Sequence, residues 1–263
     1  MVNQTEILED LFITRRDGLV SSIGSIGSND PLGTQLKVLE RFESEGYKLG
    51  GWKIGMTSGN AKDMMGKGYR PFGFILSDRI FDSGSIIPVP ASNIMNCQVE
   101  PELCLIIGES LQGDQVSIAE AKAAVRAVVP AFEINEIRKS PEDLQALMSG
   151  APSPEQISLL QADGLAHWGI ALGPEAPVTD RLVDTTVELY HNDELVETET
   201  PGDTMDDPFL SLTRLCALLS KYGRGLEAGQ AIITGAFFHY SVKGPSSYRA
   251  DFKGIGEVSL DFL

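Results

Sequence analysis

The sequence predicts an α+β domain built on a folded-over, mostly antiparallel sheet with a few scattered helices. Short apolar runs bounded by glycine and proline recur from residue 49 to the C-terminus. Only four stretches carry helical spacing, too few for a strand–helix alternation. Residues 185–190 and 194–198 are joined by the polar link His191-Asn192-Asp193, which reads as a hairpin. With 263 residues the chain is long enough to bury a sizeable core.

Along the chain, Ile7, Leu8, Leu11 and Phe12 have helical spacing within residues 5–20, interrupted at Asp17-Gly18. Residues 21–33 are rich in Gly and Ser and read as a loop. Leu36, Leu39 and Phe42 form the apolar side of a second helix over 32–45, ended by Gly46. Strands are expected over 51–56, 73–76, 85–89, 102–107, 130–134, 168–172, 231–234 and 257–262. The alanine-rich stretch 118–128 reads as a helix capped by Ser117, and 209–222 as an amphipathic helix stopped by Gly223. The expected organisation is an N-terminal helical segment, 1–48, packed on a strand-rich domain, 49–263, as one structural unit.

The net charge of −16 and the lack of any basic run argue against nucleic-acid binding. No apolar run approaches the roughly 20 residues of a membrane span, and the polar start is unlike a signal peptide. A cytoplasmic location is therefore expected. Cys97, Cys104 and Cys216 lack disulfide-framework or zinc spacing and read as reduced thiols. The sequence has no GxGxxG, Walker, GxSxG, HExxH or SxxK motif.

The chemistry is concentrated in Val99-Glu100-Pro101-Glu102-Leu103. On a strand, residues two apart share a face, so Glu100 and Glu102 project side by side. Two buried like charges are costly unless a cation or a proton joins them. Glu133, in a second apolar run, can complete a three-carboxylate set, and oxygen-only ligation suits Mg2+ or Mn2+. Lys53 lies in a glycine-lined strand. Burial would lower its pKa and fit it to act as a base or to hold a carboxylate, the alternative being a lysine snorkelling at a strand edge. Asp78 ends a strand and is either a pocket residue or a turn cap. Asp163, Gly164, His167 and Trp168 form a polar and aromatic knot, and His239 follows an apolar strand; both histidines titrate near neutrality unless they are structural. His191 sits at the hairpin tip.

In order along the chain, Gly51-Trp52-Lys53-Ile54-Gly55-Met56-Thr57-Ser58, Phe72-Gly73-Phe74-Ile75-Leu76-Ser77-Asp78, Val99-Glu100-Pro101-Glu102, Val129-Pro130-Ala131-Phe132-Glu133-Ile134, Ile232-Ile233-Thr234-Gly235 and Gly254-Ile255-Gly256-Glu257-Val258 form a series of motifs. In this series the chain resembles the 2-keto-4-pentenoate hydratase and 4-oxalocrotonate decarboxylase group of the fumarylacetoacetase superfamily, from about residue 30 onward. The resemblance implies that superfamily's folded mixed sheet, or β-roll. It implies Mg2+ or Mn2+ on Glu100, Glu102 and Glu133, and a small 2-keto or 2-enol carboxylate substrate. Lys53 then transfers a proton or binds the carboxylate with Asp78 assisting, and Ser77, Asp163, His167, Thr234 and His239 line the pocket. The implied activity is a lyase of aromatic-compound catabolism that hydrates a 2-hydroxy-2,4-dienoate. The alternatives are decarboxylation of a 4-oxalocrotonate-type diacid, carbon–carbon hydrolysis of an acylpyruvate using His167 or His239, and a non-catalytic partner subunit with this fold. A homo-oligomer is implied, with scope to associate with a related hydratase or decarboxylase.

The chain departs from the family pattern at Asp163-Gly164-Leu165-Ala166-His167-Trp168, at Asn135-Glu136-Ile137-Arg138 after Glu133, and in the aromatic run Phe237-Phe238-His239-Tyr240. Each departure reshapes the pocket without touching the three carboxylates.

Overall fold

A computed structural model describes residues 3–87, 97–140, 152–242 and 244–263. Helices α1 (Gln4–Asp17) and α2 (Pro31–Ser44) begin the chain. A capping box at Asn3 and Glu6 starts α1, and left-handed Gly18 ends it. Leu11, Phe12, Leu39 and Phe42 of these helices are fully buried, and Phe42 meets Phe74, so the pair shares the main core.

Thirteen strands are described: β1 (Leu49–Ile54), β2 (Phe72–Leu76), β3 (Ile80–Asp82), β4 (Ser85–Ile87), β5 (Cys97–Ile107), β6 (Val125–Glu136), β7 (His167–Leu172), β8 (Val187–His191), β9 (Glu194–Glu199), β10 (Ala231–Ala236), β11 (Tyr240–Ser241), β12 (Ser246–Phe252) and β13 (Gly256–Phe262). One sheet runs β2-β1-β10-β5-β6-β7-β3, with β11 added on β5; the other runs β4-β13-β12-β8-β9. Pairing is parallel between β1 and β10, β3 and β7, and β4 and β13, and antiparallel elsewhere. The first sheet curls until β2 touches β7 without pairing with it. The mostly antiparallel, folded-over sheet expected from the sequence is thus observed, and no closed barrel forms among the described residues.

The long strands β5 and β6 form the axis of the molecule. One face carries Leu103, Leu105, Val128, Phe132 and Ile134 into the main core, which also takes Tyr248, Phe252 and Phe262 of the second sheet. The other face carries Cys104, Ile106, Ala127, Val129 and Ala131 into a smaller dry cluster with Ile75, Ile170 and Ile233. Alternation along the strand puts the glutamates on this second face.

The helix expected over 118–128 is shorter than read: α3 (Ile118–Ala124) stops where β6 begins. Val125, Val128 and Val129 pair with β5 instead, because branched side chains fit a pleated, buried surface better than a helix. Helix α4 (Pro154–Ala162) and strands β3 and β12 were not expected, whereas α5 (Pro208–Ser220) lies close to its expected place. The strand expected over 85–89 is seen to Ile87; its last two residues lie outside the described residues. No described helix is long and apolar enough to cross a membrane.

Candidate metal centre and active site

Glu100 of β5 lies directly opposite Glu133 of β6, and Glu102 lies opposite Ala131. The three carboxylates share one face, and one oxygen from each lies within 4.8 Å of the others. All three are buried. Along the same face Gln98 pairs with Asn135, and Ile137 follows. The site is therefore the polar continuation of a dry strand face, and it opens into a cavity of about 210 Å³.

Lys53 enters from β1, with its ammonium 2.7 Å from Glu133 Oε1. It also donates to Leu165 O at 3.3 Å and Asn135 Oδ1 at 3.4 Å. Three acceptors thus match the three ammonium protons. The Asn135 amide donates in turn to Glu100. Glu102 Oε2 accepts from the Gly235 amide at 2.7 Å. Gly235 has φ +135°, and a Cβ there would stand 1.9 Å from Thr57 Oγ1, so only glycine brings this amide to the carboxylate.

The charges explain the pKa directions. Burial pushes the Glu102 carboxyl well above its usual range, and the charges of Glu133 and Glu100 add to the shift. Burial also acts on Glu133, but Lys53 and His167 outweigh it and pull this carboxyl down to about 2. Burial lowers the Lys53 pKa, yet the three surrounding glutamates outweigh it and the net shift is upward. The expected lowering is therefore corrected: Lys53 stands as an ammonium, a donor rather than a base.

These residues fit a divalent cation. Three carboxylates face one ammonium, and the buried Glu133 Oε2 has no hydrogen-bond partner. An orphaned buried oxygen and uncompensated negative charge within an oxygen-only donor set are what Mg2+ or Mn2+ relieves.

The other expected site residues are dispersed. Ser77 and Asp78 are exposed on a short turn after β2 and do not line the cavity, so they stand apart from Lys53. Asp163 caps α4 and borders an adjoining smaller cavity, and its carbonyl accepts from Arg15 at 2.7 Å. Thr234 is buried and donates to Leu103 O at 3.2 Å; its neighbour Gly235 makes the contact with the site. His167, only 1% exposed, lies behind the carboxylates with Nδ1 2.7 Å from Glu133 Oε1. Burial lowers its pKa to about 4, so the ring is neutral and orients Glu133 rather than lining the cavity. His239 does line the cavity, with Nδ1 2.6 Å from Glu100 Oε1 and a side chain 58% exposed. The hydrogen bond to Glu100 raises its pKa.

Asn135, Gly235 and the Leu165 carbonyl emerge only in the fold. Gly164, Leu165 and Ala166 all have φ between 60° and 66°. Left-handed backbone costs a non-glycine residue roughly 1 kcal/mol or more. This strained turn aims Leu165 O at Lys53, and it presses so close that a Cβ on Gly73 would meet Gly164 O at 2.6 Å. The sequence offered one signal of it, the departure from the family pattern at 163–168.

No family model matches the chain. Among curated relatives, a 4-oxalocrotonate decarboxylase of Pseudomonas sp is 29% identical over 228 residues, covering 86% of this chain and 83% of that protein. The 2-keto-4-pentenoate hydratase 1 of Dechloromonas aromatica is 26% identical over 223 residues, covering 83% and 80%. Among solved structures, the 4-oxalocrotonate decarboxylase of Pseudomonas putida G7, complexed with magnesium and adipate, superposes with a TM-score of 0.83 at 21% identity over 100% of this chain and 99% of that one. A fumarylpyruvate hydrolase from Pseudomonas aeruginosa, in complex with Mn2+ and pyruvate, gives a TM-score of 0.56 at 18% identity, covering 81% and 88%. Over most of its length the chain is thus similar to 2-keto-4-pentenoate hydratases and 4-oxalocrotonate decarboxylases, and it shares the fold of the decarboxylase and hydrolase structures it superposes on.

Proposed function

We propose that this protein is a metal-dependent lyase that hydrates a 2-hydroxy-2,4-dienoate or a closely similar 2-keto acid. The observation that carries the reading is the buried trio Glu100, Glu102 and Glu133, with an unpartnered Glu133 oxygen, beside an ammonium fixed by three acceptors. Glu100, Glu102 and Glu133 would hold Mg2+ or Mn2+, which would supply Lewis-acid stabilisation of negative charge on the substrate's 2-oxygen. By exchanging one of its longer contacts, to Asn135 or to the Leu165 carbonyl, Lys53 hydrogen-bonds the substrate carboxylate or delivers a proton to the chain carbon. Asn135 ties Lys53 to Glu100, so acid and carboxylate keep a fixed spacing. The segment carrying Thr57, Ser58 and Ala61 forms another part of the cavity lining.

Decarboxylation of a diacid is the second reading, favoured by the fold likeness over the whole chain to a decarboxylase. For carbon–carbon hydrolysis His167 is no accessible base, being buried and bound to Glu133, which leaves His239 in the cavity lining as the candidate for that reading. A non-catalytic subunit has no use for four buried charged groups, which cost stability unless a bound cation joins them. The proposal includes a cytoplasmic, homo-oligomeric enzyme; size-exclusion chromatography with light scattering reads the assembly.

The deciding experiment incubates the protein and Mg2+ with 2-hydroxypenta-2,4-dienoate and, separately, with a 2-hydroxymuconate-type diacid. Hydration of the dienoate, abolished by chelator and restored by Mg2+, is expected. Release of CO2 from the diacid with no hydration of the dienoate would overturn the hydratase in favour of the decarboxylase.

A further inference from the structure

Arg15 lies in the last turn of α1, ahead of every motif in the chemical series, and is only 7% exposed. An arginine buried this far needs partners for its donors. Its Nη1 donates to Asp163 O at 2.7 Å and its Nη2 to His167 O at 3.2 Å, while the guanidinium lies over the Phe74 ring, 4.4 Å from its centre. The two carbonyls flank the 164–166 turn, so one planar group on a helix spans both ends of the strained segment.

The turn has need of such a span. Gly164, Leu165 and Ala166 follow one another in left-handed backbone, at φ 66°, 60° and 61°, and two of the three carry a Cβ. A segment in that state persists only where its surroundings over-determine it. Main-chain bonds hold it at single points: Leu165 N donates to Leu160 O at 2.8 Å, and Glu136 N donates to Ala166 O at 2.8 Å. Arg15 adds the contact that fixes the separation of its ends. Gly164 fits closely beneath the guanidinium, because a Cβ there would stand 2.5 Å from Arg15 Nη1.

What the turn sets is the place of Lys53. Leu165 O accepts from the Lys53 ammonium at 3.3 Å. The turn also lies along the lysine stem: Gly73 pairs with Lys53 across β2 and β1, and a Cβ on Gly73 would meet Gly164 O at 2.6 Å and Lys53 Cγ at 3.0 Å. Phe74, on which Arg15 lies, is the next residue of β2. Contacts therefore run without a gap from α1, through the guanidinium and the turn, to the ammonium beside Glu133.

We infer that Arg15 is a positioning residue for the reaction: it clamps Asp163 O and His167 O so that the turn between them holds the Lys53 ammonium through Leu165 O. The inference rests on the assignment of Lys53 to proton transfer or carboxylate binding, and it makes α1 part of the active-site framework. A fixed Leu165 O leaves the contact to Asn135, at 3.4 Å, as the one that yields to substrate. The clamp depends on a fork that reaches two carbonyls at once, which a single ammonium does not reproduce.

The test is a mutant cycle on the whole protein in Mg2+. Arg15→Met keeps packing on Phe74 and removes both donors, and it is expected to lower kcat/KM for hydration of 2-hydroxypenta-2,4-dienoate about 10- to 100-fold. In a Lys53→Met background the same substitution should change turnover by less than about threefold, because the group it positions is gone. If the diacid proves to be the substrate, the same cycle is read on CO2 release. Arg15→Lys, which keeps the charge and loses the fork, should show a similar loss and serves if Arg15→Met does not fold. Arg16→Met, in the same helix turn and paired with Asp17 and Glu45, should leave turnover unchanged. Amide exchange read by mass spectrometry needs no turnover: protection of the Leu165 and His167 amides should fall roughly tenfold in Arg15→Met while that of β5 and β6 holds. Unchanged turnover or unchanged protection in Arg15→Met would overturn the inference, as would losses from Arg15→Met and Lys53→Met that simply multiply in the double variant. Those results leave the lyase standing, whereas an unsubstituted protein that turns over neither acid sinks the proposed function and this inference together.

Discussion

Glu133 and Glu136 lie three residues apart on β6, both wholly buried, in surroundings charged in opposite senses. Around Glu133 are two more carboxylates and a single ammonium. Around Glu136 are Arg138 at 2.8 Å and the charges of Arg79 and Arg15. The first group carries a surplus of negative charge, which a cation from solution would relieve. The second has its counter-charges supplied by the chain's own arginines, although burial still raises the Glu136 pKa and neither of its oxygens has a hydrogen-bond partner among the described residues. Burial alone does not separate a ligand from a structural ion pair; the local balance of charge does.

The largest break in this comparison is expected at the deficient site. Glu133→Gln removes a ligand and the anchor of both Lys53 and His167. Mg2+ affinity by calorimetry should fall roughly 100-fold or more and hydration should be lost. Metal-free stability should hold or rise, because one member of a like-charged buried group is gone. Full activity and metal affinity in Glu133→Gln, or in Glu102→Gln, would refute the three-carboxylate site. Next comes Lys53→Met, which keeps the packing and removes the donor; kcat should drop about 10²- to 10⁴-fold with Mg2+ still bound. Unchanged turnover would remove Lys53 from the mechanism.

The self-contained cluster should answer in the opposite way. Arg138→Met leaves Glu136 buried without its closest partner and should cost about 3–5 kcal/mol in denaturant unfolding. Mg2+ affinity of the folded fraction should not move. A drop in metal affinity on the scale of Glu133→Gln would show that the two clusters act as one.

The sequence made the deficient site legible and hid the balanced one. Glu100, Glu102 and Glu133 stand out because carboxylates are rare in apolar strands, and strand alternation alone put two of them on one face. The sheet was readable for the same reason, from its short apolar runs. Arg138 and Glu136, two residues apart in a segment that departs from the family pattern, gave no sign of being buried. The direction of the Lys53 shift was missed because burial was weighed without the glutamates that β5 and β6 bring to it. Asn135, Gly235 and the Leu165 carbonyl depend on long-range register and on backbone φ, which no local pattern encodes. The helix expected over 118–128 failed at Val125 because pairing with β5 overrode alanine's helix preference.

Between the two extremes lies a third cluster at the rim of the cavity. Asp206 meets Arg70 Nε at 2.5 Å, Lys62 Nζ at 3.2 Å and Arg214, while its amide donates to Thr57 O at 2.8 Å. Arg70 also reaches Asp63, so charges of both signs tie the segment carrying Ser58 and Ala61 to the start of α5. Burial raises the Asp206 pKa, but Arg70, Lys62 and Arg214 outweigh it and hold the carboxyl below the usual aspartate range. A depressed folded-state pKa contributes stability that is fully present above the unfolded-state value, near pH 4, and is lost as pH falls through the folded value. Asp206→Asn should therefore cost about 1–2 kcal/mol at pH 7, the smallest effect of the series. That difference from the unsubstituted protein should stay constant down to about pH 5 and shrink below about pH 4. A difference that grows on acidification would mean that Asp206 is not held ionised by its three cations. High salt should weaken the effect only slightly, since Asp206 and Arg70 are buried and poorly screened; a collapse of the difference in salt would place the network in solvent rather than across the cavity rim.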